Sequence, residues 1–101
     1  MSIITLQSGM IESFRDRRLK RLYEGGEREK IQPDLLSRVE FILSLLDAAK
    51  IPEDINVHSL HLHQLKGNKK RLWSVTVRAN WRIVFRFEDG KAYDVEMLDY
   101  H

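Results

Sequence analysis

The sequence closes on Asp99, Tyr100 and His101, an acid, a phenol and an imidazole in a row, directly after the apolar-rich run "AYDVEML". All three side chains can hold or move a proton. Further back, "HQLKG" places His63 close to Lys66, and "NWRI" carries Arg82. Arg and Lys hold a phosphate and the charge that develops on it, and an imidazole moves protons near neutral pH. Binding and cleaving a phosphodiester requires this combination.

The charge distribution points the same way. The net charge is only +2, but between Lys66 and Arg86 lie seven cationic side chains (Lys66, Lys69, Lys70, Arg71, Arg78, Arg82, Arg86) and no Asp or Glu. A sign-segregated basic stretch on a small domain is the footprint of a polyanion binder. Arg15, Arg17, Arg18, Lys20 and Arg21 form a second basic cluster, partly offset by Asp16 and Glu24. The ordinary alternative is a solvated Lys-rich loop followed by a plain strand face.

Other chemistries find less support. His58, His61, His63 and His101 could suggest a metal site, but the H-x-H spacing has no cysteine or well-spaced carboxylate pair beside it. Gly-rich phosphate loops and G-x-S-x-G elbows are absent. Trp73 and Trp81 could stack on bases, yet each falls on the apolar side of its strand, where core packing explains it.

Elements must position these residues. In a chain of 101 residues, 43% hydrophobic and 32% charged, the composition is that of one small folded domain. Without cysteine it has no disulfide, which fits a reducing cytoplasm. No apolar run reaches a membrane span and the start lacks the features of a signal peptide. Residues 1–9, ahead of a second methionine, read as an N-terminal extension, leaving a single domain over 10–101.

Within that domain "IESF" reads as a short strand, and "RDRRLKRLYEGG" as a helix with Leu19, Leu22 and Tyr23 on one face, stopped by Gly25-Gly26. "QPDLLSRVEFILSLLDAAK" is the clearest helix. Pro33 and Asp34 suit its first turn, Leu35, Val39, Ile42 and Leu46 form its apolar stripe, and Lys50 falls near its carbonyl end. The period then changes. "SLHLHQL" predicts a strand with Leu60 and Leu62 on one face and His61 and His63 on the other. "LWSVTV", "WRIVFRF" and "AYDVEMLDY" predict three more, linked by "RAN" and by an "EDG" hairpin. In the middle one Trp81, Ile83, Phe85 and Phe87 oppose Arg82, Val84 and Arg86. The expected fold is α+β, two N-terminal helices packed on one face of a mainly antiparallel sheet, with His63, Lys66, Arg82 and Arg86 sharing the other face.

Read together, the "MIxSF" opening, a first helix ending near "EGG", the long second helix, "LHxLKG", "WSVTVRANWRI" and the terminal "DYH" resemble the HigB toxins, a branch of the RelE superfamily of bacterial type II toxin–antitoxin systems. The likeness covers nearly the whole chain from Met10 onward. It implies a small RelE-like domain and a ribosome-dependent endoribonuclease, an mRNA interferase that cuts mRNA in the A site of the 70S ribosome and contacts 16S rRNA. It also implies a HigA-type helix-turn-helix antitoxin, which neutralises the toxin and carries it to operator DNA, and a bacterial cytoplasmic location with no membrane association. The family's active residues fall here on His63, Lys66, Arg82, Asp99, Tyr100 and His101. The remaining cations, Lys69, Lys70, Arg71, Arg78, Arg86, Arg17, Arg18, Lys20 and Arg21, are then candidates for RNA and ribosome binding. The implied reaction is attack of a 2′-OH on its own 3′-phosphate. It requires a base, charge stabilisation and an acid but no metal or other cofactor. The alternative is a non-catalytic basic module that binds RNA or protein on the same sheet.

Overall fold

In the computed structural model, residues 11–67 and 71–100 are described, so the expected extension at 1–9, and also Lys69, Lys70 and His101, lie outside the described residues. Helix α1 spans Arg17–Gly25 and α2 spans Pro33–Ala48, and two 3-10 turns follow at Pro52–Ile55 and His58–Leu60. Four strands complete the chain: β1 His63–Gln64, β2 Leu72–Arg78, β3 Trp81–Glu88 and β4 Lys91–Asp99. They form one antiparallel sheet in the order β1-β2-β3-β4. This is the α+β arrangement expected, with α2 packed on β2 and α1 on β4.

Helix α1 starts one residue after Asp16, which accepts from the Arg18 backbone N–H at 3.0 Å and satisfies one of the orphan amides of the first turn. It ends because Gly26 takes the left-handed conformation at φ 69° and its N–H folds back onto the Arg21 and Leu22 carbonyls. Helix α2 opens on Pro33, whose missing N–H costs nothing at that position. Lys50 lies beyond the last turn rather than in it, and its N–H and that of Ile51 are taken by the Asp54 carboxylate at 2.9 and 3.3 Å. The Tyr23 hydroxyl donates to Asp47 and ties the two helices together. Burial, followed by the Asp47 carboxylate, pushes that phenol's pKa up.

Leu19, Leu35, Val39, Ile42 and Leu46 from the helices meet Val75, Val77, Ile83, Phe85 and Val95 from the sheet in one core, all essentially inaccessible. Trp73, Trp81 and Phe87 pack against its rim, half-buried. The β3–β4 turn uses Asp89 and Gly90, both at positive φ, the pattern of the tightest hairpins.

Three strand expectations change. "SLHLHQL" is not one strand: Leu60 enters the core from a 3-10 turn, and His61 sits at φ 49°, so the extended backbone begins only at His63. In "AYDVEMLDY" plain alternation fails at Asp94, which adopts φ 55° in a bulge and shifts the register between Val84 and Arg86. The extra residue lets Ala92, Val95 and Met97 all face the core despite their uneven spacing. The "IESF" strand becomes two parallel bridges, Ile11 with Ala92 and Phe14 with Val95, that lay residues 11–15 along the free edge of β4.

Gly26→Ala keeps the space its methyl needs but forces an L-residue into the left-handed region. A loss of about 1 kcal/mol in urea unfolding is expected, and an unchanged midpoint would argue against this helix stop.

Candidate active face

The sheet's second face, away from the helices, carries the candidate residues in rows set by register. His63 on β1 lies opposite Ser74 on β2, and Ser74 opposite Val84 on β3, which in turn pairs with Glu96 on β4. The next row holds Thr76, Arg82 and Leu98. Two strand spacings of about 4.8 Å and two residues of about 3.4 Å put the His63 and Arg82 Cα atoms about 12 Å apart. Long side chains and one nucleotide can span that distance.

Arg82 is held at its base. Its Nη1 donates to the Ala79 carbonyl at 2.7 Å and the Trp81 carbonyl at 3.3 Å, so the guanidinium is braced on the β2–β3 turn. Its Nε and Nη2 make no hydrogen bond among the described residues and remain available to an anion. His63 is exposed, with Nδ1 at 3.3 Å from the His61 carbonyl oxygen, and its Nε2 makes no hydrogen bond to another described residue. Lys66 is exposed on the loop after β1, where Leu65 N–H to Leu72 O at 2.8 Å prolongs the ladder.

The end of β4 is less uniform. Tyr100 continues the alternation of Leu98, so it follows the Arg82 face, and its N–H donates to the Asn80 carbonyl at 2.8 Å. Asp99 pairs with Trp81, one position off that row, which puts it on the sheet's other side from Arg82. His63, Arg82 and Tyr100 are thus brought to one face, with Lys66 at its margin, and Asp99 is not. His101 lies outside the described residues.

The basic stretch is not free of acids once folded. Arg86 pairs with Glu88 at 2.8 Å and Asp94 at 3.5 Å and lies 4.5 Å over the Tyr93 ring. Glu88 first, with burial opposing and Asp94 adding, raises its pKa. Arg71 also reaches Glu88, at 3.6 Å, and Arg78 reaches Asp34 at 3.7 Å. These exposed pairs are weak, but they divide the cations. Arg86 is structurally engaged, whereas Arg82 and Lys66 face no acid within ion-pair distance among the described residues.

On α1, Arg17, Arg18, Arg21 and Lys30 line a cavity of about 290 Å3. Arg18 there is committed to Asp16 and Arg21 lies 3.9 Å from Glu27, while Lys20 is exposed outside that lining. A second cavity of about 480 Å3, with Arg38, His61, Thr76 and Arg78 in its lining, opens at the far end of β2. No group of three His, Cys, Asp or Glu side chains suited to a metal ion occurs among the described residues.

Three residues escaped the sequence reading. Asp16 could have been found as an N-cap, because it directly precedes the helical run. Ser74 could not, since a serine in a strand has no distinguishing signal. It is buried beneath the face, 1% exposed, and its Oγ has no hydrogen-bond partner among the described residues. Glu96, half-buried beside Val84, is an acid on the face expected to carry His63, Lys66, Arg82 and Arg86.

Two helices on a four-stranded antiparallel sheet in a domain of this size are the arrangement expected of a RelE-like toxin. Residues 12–101 match the HigB-like toxin family, described as the RelE-like toxin of the type II toxin–antitoxin system HigB, and the chain belongs to that family. It is 40% identical over 92 residues to the endoribonuclease HigB of Proteus vulgaris, a match covering 91% of this chain and 100% of that protein. It is 31% identical over 94 residues to toxin HigB-1 of Vibrio cholerae serotype O1, covering 91% and 98%. Membership makes an antitoxin its partner. No helix among the described residues is long and apolar enough to cross a membrane.

Two outcomes follow for the site's surroundings. Burial works to raise the Asp16 pKa, but hydrogen bonds from Arg18 and Met97 outweigh it, and the carboxyl is held below its ordinary 3.8. A depressed folded-state value means that the stabilisation is complete above the ordinary carboxylate range and drains away as pH falls. The difference in unfolding free energy between the wild type and Asp16→Asn should therefore shrink from about pH 5 to pH 2; a constant difference would contradict the ion pair. Ser74→Ala removes an unpaired buried hydroxyl and should raise stability by about 1 kcal/mol in urea unfolding. Destabilisation would show that the hydroxyl has a partner.

Proposed function

We propose that this chain is an endoribonuclease that cleaves mRNA in the ribosomal A site and is neutralised by a HigA-type helix-turn-helix antitoxin. What carries the reading is the register that sets His63 and Arg82 on one face, together with the endoribonuclease name of the Proteus vulgaris relative. The 2′-OH of one nucleotide attacks its own 3′-phosphate, the bond to the 5′-oxygen of the next breaks, and a 2′,3′-cyclic phosphate and a 5′-OH remain. His63 and His101 are the base and the acid, one removing the 2′-OH proton and the other supplying the proton that the 5′-oxygen takes up.

Arg82 and Lys66 neutralise the phosphate and the charge it gains. The turn carbonyls that brace Arg82 keep one edge of the guanidinium fixed while the other faces the anion. Tyr100 positions the nucleotide, and Asp99, turned to the other side of the sheet, places the chain end. Lys69, Lys70, Arg71, Arg78, Arg17, Lys20 and Arg21, with Arg18 and Arg86 more tightly engaged, supply phosphate contacts to mRNA and 16S rRNA. Binding to operator DNA occurs through the antitoxin complex, and ribosome dependence places the protein in the bacterial cytoplasm.

Primer extension on mRNA programmed into 70S ribosomes tests this directly. Arg82→Ala should lose about 10²–10³-fold in cleavage rate, the scale of one removed charge-stabilising donor, and deletion of His101 should be comparably severe. Equal cleavage by the intact and His101-deleted chains would move the chemistry to His63. Ribosome binding without cleavage by the intact chain would replace the enzyme with a binding module.

A further inference from the structure

The free edge of β4 is covered group by group. Glu12 N–H donates to the Ala92 carbonyl at 2.7 Å, Asp94 N–H to Ser13 Oγ at 2.9 Å, Val95 N–H to the Ser13 carbonyl at 3.1 Å, and Arg15 N–H to the Val95 carbonyl at 3.0 Å. There the backbone turns away into α1. The next outward N–H and C=O belong to Met97, and side chains meet them. Met97 N–H donates to Asp16 Oδ2 at 3.1 Å, and Arg18 Nη2 donates to the Met97 carbonyl at 3.4 Å. Asp16 and Arg18 together imitate one more residue of a parallel strand, a carboxylate standing for the carbonyl and a guanidinium for the amide.

This exceeds what an N-cap does. A capping carboxylate needs only the amides of its own first turn. Here the same group also binds a strand 81 residues away, and Arg18 grips it at 3.0 Å through Nε and 2.8 Å through Nη2. The Asp16 side chain is 7% exposed, so the pair is largely shielded from solvent on its acidic side. Met97 is followed by Leu98, Asp99 and Tyr100, and Tyr100 N–H is held from the other side by the Asn80 carbonyl. The strand end that leads to the catalytic residues is thus clamped between α1 and the β2–β3 turn.

We propose that Asp16, acting through Arg18, is a positioning residue that fixes the end of β4 and so aims Tyr100 at the phosphate held by Arg82 and Lys66. This inference rests on the proposed function. Asp16 touches no substrate in this scheme, so its loss lowers kcat and leaves KM for programmed ribosomes unchanged.

The test combines amide exchange with cleavage for Asp16→Ala, Asp16→Asn and Arg18→Gln in the full chain. In Asp16→Ala the Met97 amide should lose about tenfold protection while Val95 keeps its own. The kcat should fall up to about 10²-fold, as for a displaced reacting group. Asp16→Asn keeps an oxygen for the Met97 N–H and should fall less, and Arg18→Gln, which keeps the cap, should share the kcat loss, any change in its KM reporting the arginine's own phosphate contact. In a Tyr100→Ala background, Asp16→Ala should cost little more, because the two changes disable one unit. Unchanged Met97 protection, a rise in KM alone in Asp16→Ala, or multiplicative effects in the double variant would each overturn the positioning role. Normal cleavage by Tyr100→Ala alone would instead sink the assignment of that residue to the site, and Met97 exchange would then decide alone whether Asp16 holds the strand end.

Discussion

The pairing of residues 11–16 with β4 joins the two ends of the chain, and the other layers depend on it. Asp16 and Met97 meet across 81 residues. Closing a loop of that length costs about 4 kcal/mol in the simplest chain model. Fully burying an aliphatic side chain contributes about 1.5–3 kcal/mol, and the contact buries Ile11, Leu19, Val95 and Met97 together. The apolar groups make the closure favourable, and the hydrogen bonds set its register. They also remove an edge that would otherwise offer unpaired backbone groups to another chain. Because α1 begins at Arg17, directly after this pairing, the position of the first helix over β4 follows from the same contact.

Folding redistributes charge as much as it organises apolar surface. Along the sequence the cations between Lys66 and Arg86 stand apart from every acid. In space Glu88, Asp94 and Asp34 reach Arg71, Arg86 and Arg78. The result is a sharper field, not a weaker one. Arg86 is stacked on Tyr93 and paired, so it supports the sheet face more than it attracts a ligand. Arg82, braced only by carbonyl oxygens, keeps its full charge directed outward. Pairing Arg86 and sparing Arg82 and Lys66 leaves the attraction for an anion strongest on the side of the face that those two residues share.

Much of this was legible because periodicity is physical. The stripe Leu35, Val39, Ile42, Leu46 and the alternation of "WRIVFRF" leave no other way to bury their apolar sides, and both elements form where expected. The failures share a cause. His61, Asp94 and Ala79 adopt positive φ although none is glycine, so residue type did not announce the breaks in alternation. Asp94 is held there by Ser13, a partner 81 residues distant that no local pattern could supply. The shared face of His63 and Arg82 was readable from alternation and short links. The side of the sheet taken by Asp99 was not, since one bulge reverses the parity of everything beyond it.

The two faces of the sheet divide the protein's tasks. Ile83 and Phe85 are sealed against the helices, whereas His63 and Tyr100 stand in solvent and Arg82 is only half-buried. Side chains so exposed contribute little to stability, so they are free to be chosen for chemistry. An open face also cannot exclude water or hold a flexible substrate in one pose unaided. Under the proposed function the substrate's own surroundings must complete the site, because orientation and desolvation are what a shallow cationic sheet lacks. Under that reading, a nuclease built this way is expected to be poor on free RNA and effective where another surface presents the strand. The rigidity the protein does supply is then concentrated where it has most effect, in the braced guanidinium of Arg82 and the clamped end of β4.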